Sequence, residues 1–405
     1  MEGLQKAWYR SFQFCVNIGG RFLHWRKPIP ITGEGSTARI PEILKENGVT
    51  KVMVVTGRHV GRELAPGIIE KIEAAGIQCV HFSQVESNPS TTTVFQIRNM
   101  YKEKACNGFL AIGGGSPMDA AKAAAALIVR PNKPITKMGG LFKVLRRLPP
   151  FIAVPTTAGT GSETTIAAVI TEAETHHKYA IMDIVLVPRY AVLDPEMTRN
   201  LPPATTATTG MDALTHAVEA YICWTNRTRE SDRLAEEATV AIFKYLERAY
   251  RDGNDMEARG EMLIAAYKAG FAFTRAGVGN VHAIAHTLGG LYGTPHGLAN
   301  AVILPIVLED YGEKVYNRLA RLSELTGLMT QGSDEEKAKA FIAEIYAMNK
   351  RMGIPRGLDN IRQEDIPQMV QWALKEANPT YPVPVVYTPE RCTAVIERII
   401  AAANQ

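Results

Sequence analysis

The first half of the chain alternates short apolar runs with longer stretches of helical period. Val52-Met53-Val54-Val55-Thr56 is a continuous apolar run of the kind that fills a strand buried on both faces. Helical periodicity follows over 65–75. Residues 78–82 then read as strand, 92–104 as helix, 108–112 as strand, 120–129 as helix and 151–154 as strand. Such alternation predicts parallel strands joined by right-handed crossovers. After Pro202-Pro203 the pattern changes: strand runs stop, and helical stretches occupy 230–250, 261–272, 337–351 and 389–402. The pattern predicts an α/β N-terminal domain with a parallel sheet over residues 1–200 and an all-α C-terminal domain over 201–405. There are no internal repeats and no low-complexity segments.

Composition narrows the function classes. The 405 residues are 46% hydrophobic and 21% charged, enough to bury two sizeable cores. The net charge of +4 is small and dispersed, so there is no nucleic-acid footprint. Five scattered cysteines without a CxxC read as reduced thiols in a cytoplasmic protein. No apolar run reaches the roughly 18 residues of a membrane span, and no membrane partner is expected. The first 27 residues lack the apolar core and small-residue cleavage site of a signal peptide, and read as part of the mature protein.

Two loops carry candidate cofactor chemistry. Gly113-Gly114-Gly115-Ser116-Pro117-Met118-Asp119 follows a strand run and opens a helical one. Glycines let the backbone approach a ligand closely, and a helix N-terminus favours an anion such as pyrophosphate. Ser116 suits the N-cap, Pro117 the first helical position, and Asp119 completes a capping pattern. The segment is neither a G-x-G-x-x-G nor a P-loop, which needs Lys-Ser/Thr. A second turn, Pro155-Thr156-Thr157-Ala158-Gly159-Thr160-Gly161, again follows a strand and can line the same ligand.

The helical half carries candidate metal chemistry. Asp212 and His216 are four residues apart and share a helix face; His282 and His286 repeat the spacing, and Pro295-His296-Gly297 follows. A carboxylate with several imidazoles suits a divalent ion of intermediate hardness. A zinc peptidase would need Glu directly after the first His of the pair, and Ala283 stands there.

Taken together, the motifs at 113–122, 155–163, 194–195, 209–219, 281–286 and 294–300 resemble the iron-containing (group III) alcohol dehydrogenases, which share a fold with glycerol dehydrogenase and dehydroquinate synthase. The resemblance spans roughly 30–400. It implies metal ligands at Asp212, His216, His282 and His296, with Fe2+ the first choice and Zn2+ the second. It implies that His286 lies near nicotinamide and substrate without binding metal, as a catalytic residue. It implies cofactor contacts from Gly114, Gly115, Ser116, Asp119, Thr156, Thr157, Thr160 and Lys178. The implied reaction is hydride transfer between an alcohol and NAD(P), with the metal a Lewis acid on the substrate oxygen. The implied partners are a small alcohol or aldehyde and a second copy of the chain in a homodimer or higher homo-oligomer.

One departure bears on the cofactor. Many family members place Asp after the first of these strands to bind the adenosine ribose. Here Gly57-Arg58 stands instead. An acidic side chain repels a 2′-phosphate and a nearby Arg accommodates it, so this pair leans toward NADP. Two alternatives share the fold: a zinc-dependent glycerol or polyol dehydrogenase, and a lyase like dehydroquinate synthase. The lyase needs clustered basic residues beside the metal motifs, and none is seen there.

Overall fold

The protein is described by a computed structural model covering residues 2–23, 25–174 and 178–403. The chain divides into two units, His24–Leu201 and Met1–Leu23 with Pro202–Gln405.

The first unit is built on a six-stranded sheet of order β1-β9-β6-β4-β2-β3, parallel at every pairing. The strands are β1 (Ile29–Thr32), β2 (Lys51–Gly57), β3 (Gln78–Val85), β4 (Gly108–Gly113), β6 (Phe151–Pro155) and β9 (Tyr190–Leu193). Successive residues of a strand point to opposite faces. Met53, Val55, Phe109 and Ala111 enter the core on one face, and Val52, Val54, Leu110 and Ile112 the core on the other. Both faces are covered, which is why these strands read as unbroken apolar runs. The predicted strands and helices of this half all appear, to within a few residues. The elements of this half that the pattern does not announce are short, from two to seven residues; β1 and β9, at four residues each, are too short to show a period. A smaller sheet of β5 (Gly140–Leu141), β8 (Lys178–Met182) and β7 (Ala167–Thr171) adds one antiparallel pair.

The chain leaves β2 for β3 on one side, then returns to lay β4 on the other side of β2. This reversal is where open α/β sheets form a crevice at their carboxyl ends. Gly57 ends β2 and Gly113 ends β4, so both sequence candidates sit at the switch point.

The second unit is helical; among the described residues no strand follows Leu193. Its helices include Pro203–Ile222, Arg229–Arg251, Met256–Ala276, Asn280–Tyr292, His296–Tyr311 and Pro389–Ala402. The N-terminal helix Glu2–Arg21 also belongs here, so the expected assignment of residues 1–200 to the α/β unit does not hold at its start. The reason is polar. The Arg10 guanidinium donates to the carbonyls of Val383 and Pro384, Gln13 to those of Pro379 and Tyr381, and Asn17 to that of Thr225.

Candidate metal centre and dinucleotide loops

Three helices of the second unit converge on one cluster. Pro203–Ile222 carries Asp212 and His216, Asn280–Tyr292 carries His282, and His296 opens His296–Tyr311. One ligand atom from each of Asp212, His216, His282 and His296 lies within 4.8 Å of all the others. Gly297 is what permits this approach: a Cβ there would meet the Thr208 carbonyl oxygen at 2.5 Å. Only glycine lets the start of the His296 helix press onto the helix bearing Asp212.

The surroundings fix each ring. His216 stacks on Phe273, with centroids 4.2 Å apart, and on His282 at 4.7 Å. The His282 Nδ1 lies 2.6 Å from Glu219 Oε2, both side chains almost fully buried. A carboxylate there takes the Nδ1–H, which leaves the Nε2 lone pair for the cluster. Glu219 also accepts from the backbone N–H groups of Gly279 and Val281, and so caps the helix that carries His282. A Cβ on Gly279 would meet Glu219 Oε1 at 2.6 Å, so this cap too needs glycine. Burial pushes the Glu219 carboxyl up to about 7, against the pull of its backbone donors and His286. Burial, then repulsion from His216, His296 and His286, holds His282 well below the usual histidine range. His296 is pushed the same way by burial of its ring and by His286 and His216, against attraction from Asp212 and Glu376. Neutral imidazoles are the form that binds metal. Asn300, one turn on from His296, donates from Nδ2 to Asp212 Oδ1 at 2.7 Å.

One carboxylate and three imidazoles, one of them oriented by a buried carboxylate, fit a divalent ion of intermediate hardness. His286 lies outside the four. Its ring centroid is 5.2 Å from that of His296, and its Nδ1 is 2.6 Å from Glu376 Oε1. Glu376 also accepts from the Tyr381 hydroxyl at 2.6 Å. Burial raises Glu376, but His286 and Tyr381 outweigh it and leave the carboxyl below its ordinary value. Glu219 and Asn300 close the motifs at 209–219 and 294–300, and their spacing signals them: Glu219 is three residues from His216 and Asn300 four from His296, each on that histidine's own face. Glu376 and Tyr381 gave no such signal.

In the α/β unit the two loops lie against each other. A Cβ on Gly114 would meet Thr157 Oγ1 at 3.3 Å, and one on Gly115 would meet Thr160 Cγ2 at 3.4 Å. Gly113 has φ of +153°, and a Cβ there would strike Pro117 at 2.6 Å. The helix starts earlier than expected, at Gly115, with Gly114 as N-cap and no side-chain cap. Ser116 is therefore inside the first turn, and the capping pattern with Asp119 is not formed. The Asp119 carboxylate turns to the second loop, accepting from Ser162 Oγ and the Val169 N–H. Lys122, fully buried, ties the same loop from below. Its ammonium donates to the carbonyls of Ser162, Thr165 and Ala167 at 2.6–3.0 Å. Burial lowers Lys122 to about 8, with Asp119 and Glu163 pulling it back up.

This cradle fits a dinucleotide phosphate: glycine backbone at a helix N-terminus, with Thr157 Oγ1 buried and lacking a hydrogen-bond partner among the described residues. Thr156 donates its N–H to the Gly113 carbonyl, which locks the loops together. Lys178 lies apart, on β8, donating to Asn88 Oδ1 at 2.9 Å. Gly57 caps the short helix Arg58–Glu63. Beside it, Arg58, Arg62, Ser83 and Gln84 line a pocket of about 310 Å³ at the carboxyl ends of β2 and β3.

Comparison with known proteins adds independent findings. The family model described as iron-containing alcohol dehydrogenase matches residues 29–195, and that of the Fe-containing alcohol dehydrogenase family, C-terminal, matches 206–400. The NAD-dependent methanol dehydrogenase of Bacillus methanolicus is 35% identical over 353 residues, covering 86% of this chain and 92% of that one. A crystal structure of 1,3-propanediol oxidoreductase superposes with a TM-score of 0.90 at 33% identity, covering 93% of this chain and 100% of that one. Sulfoacetaldehyde reductase from Bifidobacterium kashiwanohense, in complex with NAD+, superposes with a TM-score of 0.83 at 28% identity, covering 94% and 99%.

Proposed function

The chain belongs to the iron-containing alcohol dehydrogenase family, and from that premise we propose the ligands, the proton-handling residue and the cofactor preference of this member. It is a metal-dependent alcohol dehydrogenase that uses a divalent metal and NAD. The substrate is a small alcohol or its aldehyde, as the names of its relatives suggest.

Asp212, His216, His282 and His296 hold the metal, iron before zinc. The observation that carries this is the 4.8 Å convergence of their ligand atoms. Bound there, a divalent ion supplies a Lewis acid for the substrate oxygen, and the nicotinamide supplies the hydride acceptor. The protein's own residues prepare both. Glu219 sets the His282 tautomer, and Glu376 sets that of His286. His286, with Nδ1 held on Glu376, handles the proton at its other ring nitrogen. The glycine loops hold the pyrophosphate through backbone N–H groups. Five free thiols agree with a cytoplasmic setting, where we place a homodimer.

The pocket beside Gly57 supports NADP used at least as well as NAD. Its lining has two arginines and a serine and no carboxylate, the chemistry that accepts a 2′-phosphate.

Chelation should abolish alcohol oxidation, and Fe2+ should restore it more fully than Zn2+. An enzyme active after exhaustive chelation would refute the metal assignment. Gly57→Asp should shift the ratio of kcat/KM values toward NAD by about 1–3 kcal/mol. A wild type that strongly prefers NAD would show that the arginine pocket does not hold the ribose phosphate.

A further inference from the structure

The side of the site that carries Glu376 and Tyr381 hangs on a loop with few donors of its own. Residues 378–388 join the helices Ile366–Ala377 and Pro389–Ala402 and hold prolines at 379, 382 and 384. Proline has no N–H, so the carbonyls of such a loop find partners outside it. The N-terminal helix Glu2–Arg21 supplies several. Arg10 donates to the carbonyls of Val383 and Pro384 at 2.7 and 3.0 Å, and Gln13 Nε2 to those of Pro379 and Tyr381 at 3.1 and 2.7 Å. The Trp224 N–H and the Asn280 amide take the carbonyls of Pro382 and Val385. Arg10 also donates to Gln13 Oε1 at 3.0 Å, which turns the Gln13 NH2 group toward the loop. Gln13 is 1% exposed, so water does not compete for these bonds.

Tyr381 carries that hold to the site. Its carbonyl is fixed by Gln13, and its hydroxyl donates to Glu376 Oε1 at 2.6 Å. The same oxygen lies 2.6 Å from His286 Nδ1. His286 needs such a hold: 43% of its side chain is exposed, so packing alone does not set the ring. An exposed side chain hops between rotamers unless a bond selects one. One continuous path thus runs from Gln13 through Tyr381 and Glu376 to His286, all within the helical unit. Gln13 lies outside residues 29–195 and 206–400, where the family models match, while the other three lie inside.

We propose that the N-terminal helix is a positioning element of the reaction site. Gln13 holds the 379–384 segment, Tyr381 holds Glu376, and Glu376 then presents His286 in one orientation. This rests on the reading that His286 handles the proton. Gln13 and Tyr381 are positioning residues, acting through His286 and not on the substrate.

The test compares Gln13→Ala, Tyr381→Phe and the double variant. Asn17→Ala is the control, since Asn17 fastens the same helix to the Thr225 carbonyl and not to the loop. In the metal-loaded enzyme, kcat for alcohol oxidation should fall about tenfold in each single variant with KM nearly unchanged; a misplacement of roughly 1 Å can cost about 10²-fold. The double variant should fall no further than Tyr381→Phe alone, because Gln13 acts through Tyr381. Asn17→Ala should keep the wild-type kcat. A second readout needs neither metal nor turnover. With the histidine ring nitrogens isotope-labelled for NMR, the His286 signals of the metal-free enzyme are identified by their loss in His286→Asn. They should move in Gln13→Ala toward their Tyr381→Phe positions and stay in place in Asn17→Ala. Additive losses in the double variant, an equal loss in Asn17→Ala, or unmoved His286 signals in Gln13→Ala would overturn the proposal. A His286→Asn enzyme with full kcat would overturn the role given to His286 and the proposal built on it. Loss in His286→Asn with wild-type kcat in Gln13→Ala and Tyr381→Phe would keep that role and overturn the positioning path alone.

Discussion

The two candidate sites are made of different material. In the helical unit the site consists of side chains, four candidate ligands from three helices, each ring held by stacking or by a buried carboxylate. In the α/β unit it consists of backbone, three glycines at a strand end pressed against a threonine turn. The side-chain site depends on which atoms its second layer of partners offers. The backbone site depends on whatever holds two loops at van der Waals distance. That work falls to Lys122, beneath the loops, and to Asp119 on the same helix.

The largest expected effect breaks the backbone site from below. Lys122→Met should remove about 3–5 kcal/mol of stability, the range for deleting one member of a buried charge network. It would strand the carbonyls of Ser162, Thr165 and Ala167 and leave Asp119 and Glu163 without their cation. Urea unfolding measures it. A loss under about 1 kcal/mol would mean that the loops hold together without the tie.

Next in size is the second layer of the metal site. Glu219→Gln replaces a carboxylate that accepts from the Gly279 and Val281 N–H groups and faces His282 Nδ1. Metal affinity, read by competition with a chelator, should fall by about 10–100-fold. Unchanged affinity would reduce Glu219 to a helix cap, and the contrast between the two sites would lose its side-chain half.

The same contrast explains what was legible in the sequence. Side chains on helices announce themselves through spacing, so Asp212 with His216 and His282 with His286 stand out in the sequence; the choice of His296 over His286 as a ligand rests on the family resemblance alone. The central strands could be read because both faces are buried, giving unbroken apolar runs at 52–56 and 108–112. Short strands could not: edge strand β1 and its neighbour β9 show no period, although Asp194, directly after β9, accepts from the backbone N–H groups of Gly35 and Thr37 and ties the edge down. Backbone sites are read only in outline. The glycines are visible, but the helix is capped at Gly114, two residues before the expected cap at Ser116, and Asp119 faces a loop more than 40 residues further along the chain. Glu376 could not be found from the sequence, because its link to His286 spans 90 residues with no motif at either end.

The smallest expected effect sharpens the comparison through pH. Glu163, beside the loops, is almost fully buried, and burial pushes its carboxyl from 4.5 up to about 7, against its backbone hydrogen bond and Lys122. Between those values the folded chain binds a proton that the unfolded chain has released. Stability contributed by this group is therefore present in full below pH 4.5 and declines as pH rises toward 7. The slope from one group is at most about 1.4 kcal/mol per pH unit. Glu163→Gln cannot titrate, so its unfolding midpoint should fall less steeply over this interval than that of the wild type. Asp119, raised to about 6 by the same burial, should leave part of the slope in place. Identical slopes in wild type and variant would mean that Lys122 keeps Glu163 charged throughout. The charges beneath the glycine loops would then form a permanent ion cluster, like the pH-independent packing that holds the rest of the sheet.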